Sequence, residues 1–144
     1  MTADPHNLQR FIDAQEGVYE QALSEIRAGR KRSHWMWFIF PQIAGLGFSP
    51  TSQHFAIQSR AEAVAYLAHP LLGPRLIECV ATMLALKTRS AADVFGYPDD
   101  LKLKSSATLF AAVSPSGSVF EQLLKAFFDG QPDTKTIELY QKTF

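Results

Sequence analysis

Lys31-Arg-Ser-His-Trp-Met-Trp-Phe-Ile-Phe-Pro-Gln42 is the most unusual stretch of this 144-residue chain. It holds both tryptophans, Trp35 and Trp37, with a basic run and a histidine before them and Pro41 after. Trp35 to Phe40 is an unbroken apolar run, too short for periodicity to separate strand from helix. As a strand it sends Trp35, Trp37 and Ile39 to one face and Met36, Phe38 and Phe40 to the other, both buried. As a helix it makes one or two tight turns. Proline disfavours helical geometry at the residue before it, so the expectation is a short extended or irregular buried segment forming the floor of a pocket.

Upstream of this segment, Leu8, Phe11, Ile12, Gln15, Tyr19, Ala22, Leu23 and Ile26 keep one face of a helix. Asn7 is placed to cap it, and Gly29 follows Arg27 where a helix would stop. Downstream, residues 43–58 carry Gly45, Gly47, Ser49, Pro50 and Ser52 and read as a long loop, with a brief extended piece at 55–57. Ser59 and Glu62 form a capping-box pattern opening a helix through Leu67. A longer helix is expected from about Leu72 to Lys87, with Pro74 tolerated in its first turn. Ser90 and Asp93 repeat the box before a single-turn helix that Gly96 and Pro98 end. Asp99 or Asp100 caps the next helix, which carries Leu103, Ala107 and Phe110. Residues 118–128 show an apolar stripe wide enough for burial on more than one side, and Asp133 caps a last helix with Ile137, Tyr140 and Phe144.

These signals predict an all-α fold. The expected architecture is a single globular domain over residues 1–144, ordered from about 7 to 142, with five to six unequal helices. An aromatic-rich irregular or short extended insert would follow the first helix. The apolar fraction of 47% and charged fraction of 19% suit such a core. Fourteen basic residues balance fourteen acidic ones, so bulk attraction to nucleic acid or anionic membrane is not expected and anion binding must be local. A single cysteine, Cys79, excludes an intramolecular disulfide and an all-cysteine metal site. The first residues lack a leader pattern and no apolar run reaches ~18–20 residues. A cytoplasmic protein with no membrane partner is the expectation.

The chemistry-bearing candidates gather around the opening stretch. Arg27, Arg30, Lys31 and Arg32 either neutralise the negative end of the first helix or, at Arg32, turn a guanidinium fork toward phosphate or carboxylate. His34 is the natural proton carrier at neutral pH, or a hydrogen-bonded structural residue. Trp35 and Trp37 are either core or flat walls for a ligand, and a buried indole nitrogen needs a partner. Gln42 could read a polar edge. In the second cluster, Phe95 to Ser106, Asp99 is a candidate for proton handling, and Lys104 with Ser105 for holding an anion. Lys102 and Lys104 lie two apart, so at most one of them faces a site. No histidine pair has the spacing of a zinc site, so no metal is expected, and no cofactor is implied. Dinucleotide, phosphate-loop and nucleophile-elbow motifs are absent, and Cys79 reads as a small core residue.

Arg10-Phe-Ile-Asp-Ala-Gln, the run from Leu23 to Pro41, Ala65 to Leu76, Phe95-Gly and Lys102 to Phe110 together resemble a bacterial family known as domain of unknown function 1810. The resemblance covers roughly residues 8–140 and brings no activity with it; the calpastatin label sometimes given to such proteins has no support in these residues. A second resemblance is to the NADAR proteins, helical N-glycosidases acting on ADP-ribosyl or ribosylamino-pyrimidine-type substrates. It rests on the order of an aromatic-Pro segment, a loop, the Ser59–Glu62 helix and a late aromatic-Gly-Asp stretch. Those proteins carry a Glu-His pair after the loop, where this chain has Gln53-His54. If that glutamate is required, the acid must come from elsewhere.

Two functions follow as expectations. In the first, a phosphorylated flat ligand such as a nucleotide or ADP-ribose derivative is held by Arg32 and stacked by Trp35 and Trp37, with His34 or Asp99 moving protons in a hydrolase-like reaction. In the second, the aromatic stretch is core and the Gly45–Ser59 loop or the basic run docks a protein partner. A direct nucleic-acid role is disfavoured by the neutral charge.

Overall fold

The computed structural model describes residues 3–87 and 89–144, and these form ten helices. They are α1 (Gln9–Gln15), α2 (Tyr19–Arg27), α3 (Met36–Ile39), α4 (Pro50–His54), α5 (Arg60–Ala68), α6 (Leu72–Leu84), α7 (Ala91–Phe95), α8 (Asp99–Ala112), α9 (Val119–Phe128) and α10 (Thr134–Thr143). The only β pairing among the described residues is an isolated parallel bridge between Ile43 and Ile57. The all-α class holds, and the helix number is larger than the five to six expected.

Three places add helices to those expected. The expected first helix is broken at Gly17, whose φ of +73° is left-handed, so one apolar stripe runs over α1 and α2. Asn7 does not cap it. Instead the Asp4 carboxylate accepts from the backbone N–H groups of Leu8 and Gln9 at 2.8 and 3.0 Å. The aromatic segment also departs from the extended reading: Met36–Ile39 is one helical turn, α3, ending where Pro41 requires. The long loop contains α4, capped by Ser49 with Pro50 at its start.

Other signals act as read. Ser90 and Asp93 make a reciprocal capping box at 3.0 and 3.2 Å, and Asp133 caps α10; Ser118, which the sequence reading did not single out, caps α9. At α5 the Ser59 hydroxyl accepts from Glu62 N–H at 3.0 Å. The Glu62 carboxylate, however, reaches Gln58 N–H (2.8 Å) and the Arg10 guanidinium (2.6 Å). Asp99 is not the cap of α8 but its first residue, with Pro98 before it.

The helices surround α8, whose middle, Leu103 and Ser105–Phe110, is buried. It packs on α7, α9, α10 and α3, while α6 packs on α2, α5 and α9. One apolar cluster joins them, with Trp35, Tyr66, Phe11, Phe40 and Phe110 its largest fully buried side chains. No helix among the described residues is long and apolar enough to cross a membrane.

Candidate functional site

The route from α2 to α3 is set by one carboxylate. Glu25, near the end of α2, is buried and accepts hydrogen bonds from Arg32 N–H (2.7 Å), Ser33 N–H (3.1 Å), Ser33 Oγ (2.6 Å), Gln21 Nε2 (3.1 Å) and Trp35 Nε1 (2.9 Å). Burial works to raise its pKa, yet these donors outweigh that and hold it at about 2. With residues 32–35 wrapped on Glu25, Lys31 turns inward. Its ammonium lies 2.8 Å from Asp99 and 5.2 Å from the Trp35 ring centre.

Asp99 is shared. Its second oxygen lies 3.1 Å from Lys102 Nζ, and Lys102 in turn stands 4.4 Å above the centre of the Trp37 ring. Burial again works against the charge on Asp99, but the two lysines outweigh it and keep the carboxyl below its ordinary range. The triad Lys31–Asp99–Lys102 carries one net positive charge and fixes a cation beside an indole.

That cation faces a cleft of about 560 Å³ between residues 42–58 and the first half of α8, with the start of α10 at one side. Trp37, Leu46 and Phe55 supply flat and apolar wall, and Gln42, Lys102 and Ser105 supply polar groups. Pro98, which precedes α8, and Leu101, Lys102 and Ser105 on it reach the cleft because that spacing keeps them on one helix face. Asp133 and Lys135 come from α10, but Asp133 is occupied as a cap, accepting from Thr136 N–H and Oγ1.

Of the residues singled out in the sequence, Trp37, Gln42 and Ser105 therefore line one cleft, and Asp99 acts on it through Lys102. Trp35 is fully buried with its nitrogen on Glu25, which makes it core. Arg32 and His34 are exposed and lie outside the cleft lining. Lys104 turns away, 5.8 Å from the Phe128 ring centre; Lys102 is the lysine of α8 that faces the cleft. No cluster of metal-ligating side chains occurs among the described residues.

Sequence reasoning missed Glu25, read Lys31 only as part of the basic run, and chose Lys104 where Lys102 is the lysine that lines the cleft. The need of a buried indole for an acceptor was the usable signal for Glu25, in the last turn of α2. Lys102 and Ser105 could have been paired by their three-residue spacing.

No curated protein matches the chain. Among solved structures, the chain is similar to the conserved hypothetical protein Rv1873 from Mycobacterium tuberculosis, with 49% identity and a TM-score of 0.95 over 97% of this chain and 100% of that one. Residues 5–140 match the family described as protein of unknown function (DUF1810). With the match spanning nearly its whole length, the chain belongs to the DUF1810 family.

Proposed function

We propose that the cleft binds a small, flat, anionic molecule of the nucleotide class. The observation that carries this reading is the pairing of Lys102 with Trp37: an ammonium 4.4 Å above an indole on the wall of a concave site. A ligand entering there meets a cation and an aromatic surface together. Gln42 and Ser105 add groups able to read a polar edge. The site provides local positive charge in a chain of zero net charge, which is what selective capture of one anion requires.

Binding rather than hydrolysis is the activity this arrangement serves. Asp99 is kept ionised between two lysines, so it offers no proton. Gln53 lines the cleft where the NADAR resemblance would have a glutamate, and an amide cannot act as a general acid.

The test is thermal denaturation of the intact protein with nucleoside mono- and diphosphates, ADP-ribose and sugar phosphates. A ligand that binds only the native state raises Tm with concentration. The expected result is a saturable rise for nucleotides, reduced in Lys102→Ala and in Trp37→Ala. A flat response across the panel overturns the reading.

A further inference from the structure

Phe48 and Tyr97 are 81% and 82% exposed, and Leu101 is 45% exposed. Large apolar side chains left uncovered beside a concave site mark interaction surfaces. Phe48 and Leu101 line the cleft while facing solvent, so they form its mouth, and Tyr97 directly precedes Pro98, another lining residue. Phe48 is held in place. Its carbonyl accepts from Gln53 Nε2 at 3.2 Å, and the preceding Gly47 lies so close to Ser52 that a Cβ there would stand 2.6 Å from Oγ. The cleft thus sets one cation, Lys102, against an apolar inner wall and carries an exposed aromatic, Phe48, at its lip.

We propose that the ligand carries a second flat ring, joined to the first through phosphate, and that this ring stacks on Phe48 or Tyr97 at the mouth. The inference rests on the nucleotide reading of the cleft. One ring lies inside against Trp37, the bridging phosphate meets Lys102, and the outer ring covers an aromatic side chain otherwise left in water. Stacking on a side chain needs no bulk positive charge, so the neutrality of the chain does not oppose it. Two sources supply this chemistry: the end of a single nucleic-acid strand, with a phosphodiester bridge, and a free dinucleotide, with a pyrophosphate bridge.

Calorimetric titration of the intact protein with adenosine monophosphate, a dinucleoside monophosphate and a dinucleoside pyrophosphate tests it. At least one two-ring probe should bind about 5- to 150-fold more tightly than the mononucleotide, the range expected for one base stacked on an aromatic side chain. Preference for the phosphodiester identifies a strand end, and preference for the pyrophosphate a free dinucleotide. In the double variant Phe48→Ala/Tyr97→Ala the ratio of two-ring to mononucleotide affinity should fall to about one. Equal affinities for all three probes, or a gain that survives in the double variant, overturn the second ring and leave the nucleotide reading standing. Absence of binding by all three overturns both.

Discussion

The indole nitrogen of Trp35 donates to the Glu25 carboxylate at 2.9 Å, with Trp35 fully buried and Glu25 only 8% exposed. The same carboxylate satisfies two backbone N–H groups of the following loop. Removing it leaves several donors without an acceptor, one of them wholly inside the core. Glu25→Ala should therefore lower the unfolding free energy by about 3 kcal/mol, the upper end for hydrogen bonds to a charged group. Urea denaturation at pH 7 measures it, and a loss below ~1 kcal/mol would show that the loop is held by other contacts.

Glu25 also makes stability depend on acid. Its folded pKa of about 2 lies below the unfolded value of 4.5. A depressed carboxylate contributes stability that is complete above pH 4.5 and is lost as pH falls toward 2. The whole contribution is roughly 3 kcal/mol at 1.36 kcal/mol per pH unit. Asp99 shifts in the same direction, so wild type alone does not isolate Glu25. The difference between wild type and Glu25→Gln does: it should shrink between pH 7 and pH 3, because only wild type has this proton to take up.

Much of the fold was legible in the sequence because caps and apolar spacing act locally. The box at Ser90 and the cap at Asp133 needed nothing beyond neighbouring residues. The break at Gly17 was hidden because α1 and α2 bury one continuous stripe, so periodicity alone could not register a change of direction. Trp35 to Phe40 was ambiguous for the opposite reason: with every residue apolar, there is no pattern to phase. The candidate site was half legible. Trp37, Gln42 and Ser105 converge, but Glu25 lies between Ser24 and Ile26 in a helix and looks like any surface carboxylate. Its role depends on a loop that folds back over it.

Glu62 and Arg10 tie α5 to α1, and both side chains are largely buried. Arg10 also donates to the carbonyls of His54 and Ala56, so the pair holds the strand-like end of the cleft loop against α1. Glu62→Ala leaves an unbalanced buried guanidinium, and breaking such a pair costs about 3–5 kcal/mol. Arg10→Met/Glu62→Leu, which removes both charges and keeps apolar volume, should recover most of that loss. Equal losses for the single and double variants, measured by urea denaturation, would show that Arg10 acts chiefly through the carbonyls.

Gly73 lies in the first turn of α6, where alanine ordinarily favours a helix over glycine by roughly 0.5–1 kcal/mol. Here the sign reverses. A Cβ at Gly73 would stand 2.1 Å from the Leu67 carbonyl oxygen and 2.9 Å from its carbon, and backbone cannot swing aside as a side-chain tip can. Gly73→Ala should destabilise by about 1–3 kcal/mol, the range for overpacking, and separate α5 from α6. A thermal midpoint equal to or above wild type would show that the helices tolerate a wider spacing.

Arg32 and His34 are the residues whose neighbours in sequence most suggest chemistry, and the folded chain separates them from it. Glu25 draws in the backbone of Arg32 and Ser33 and the indole of Trp35, which leaves the Arg32 and His34 side chains exposed. Neither lines the cleft, whose cation is Lys102. If the cleft binds a nucleotide, Arg32→Ala and His34→Ala should leave its Kd within about twofold of wild type, since distant sites with no shared partner act independently. Lys102→Ala should weaken it by about tenfold or more, the weight of one charge-assisted contact. A tenfold loss on replacing Arg32, with Lys102→Ala silent, would move the binding site from the cleft to the exposed basic run between α2 and α3.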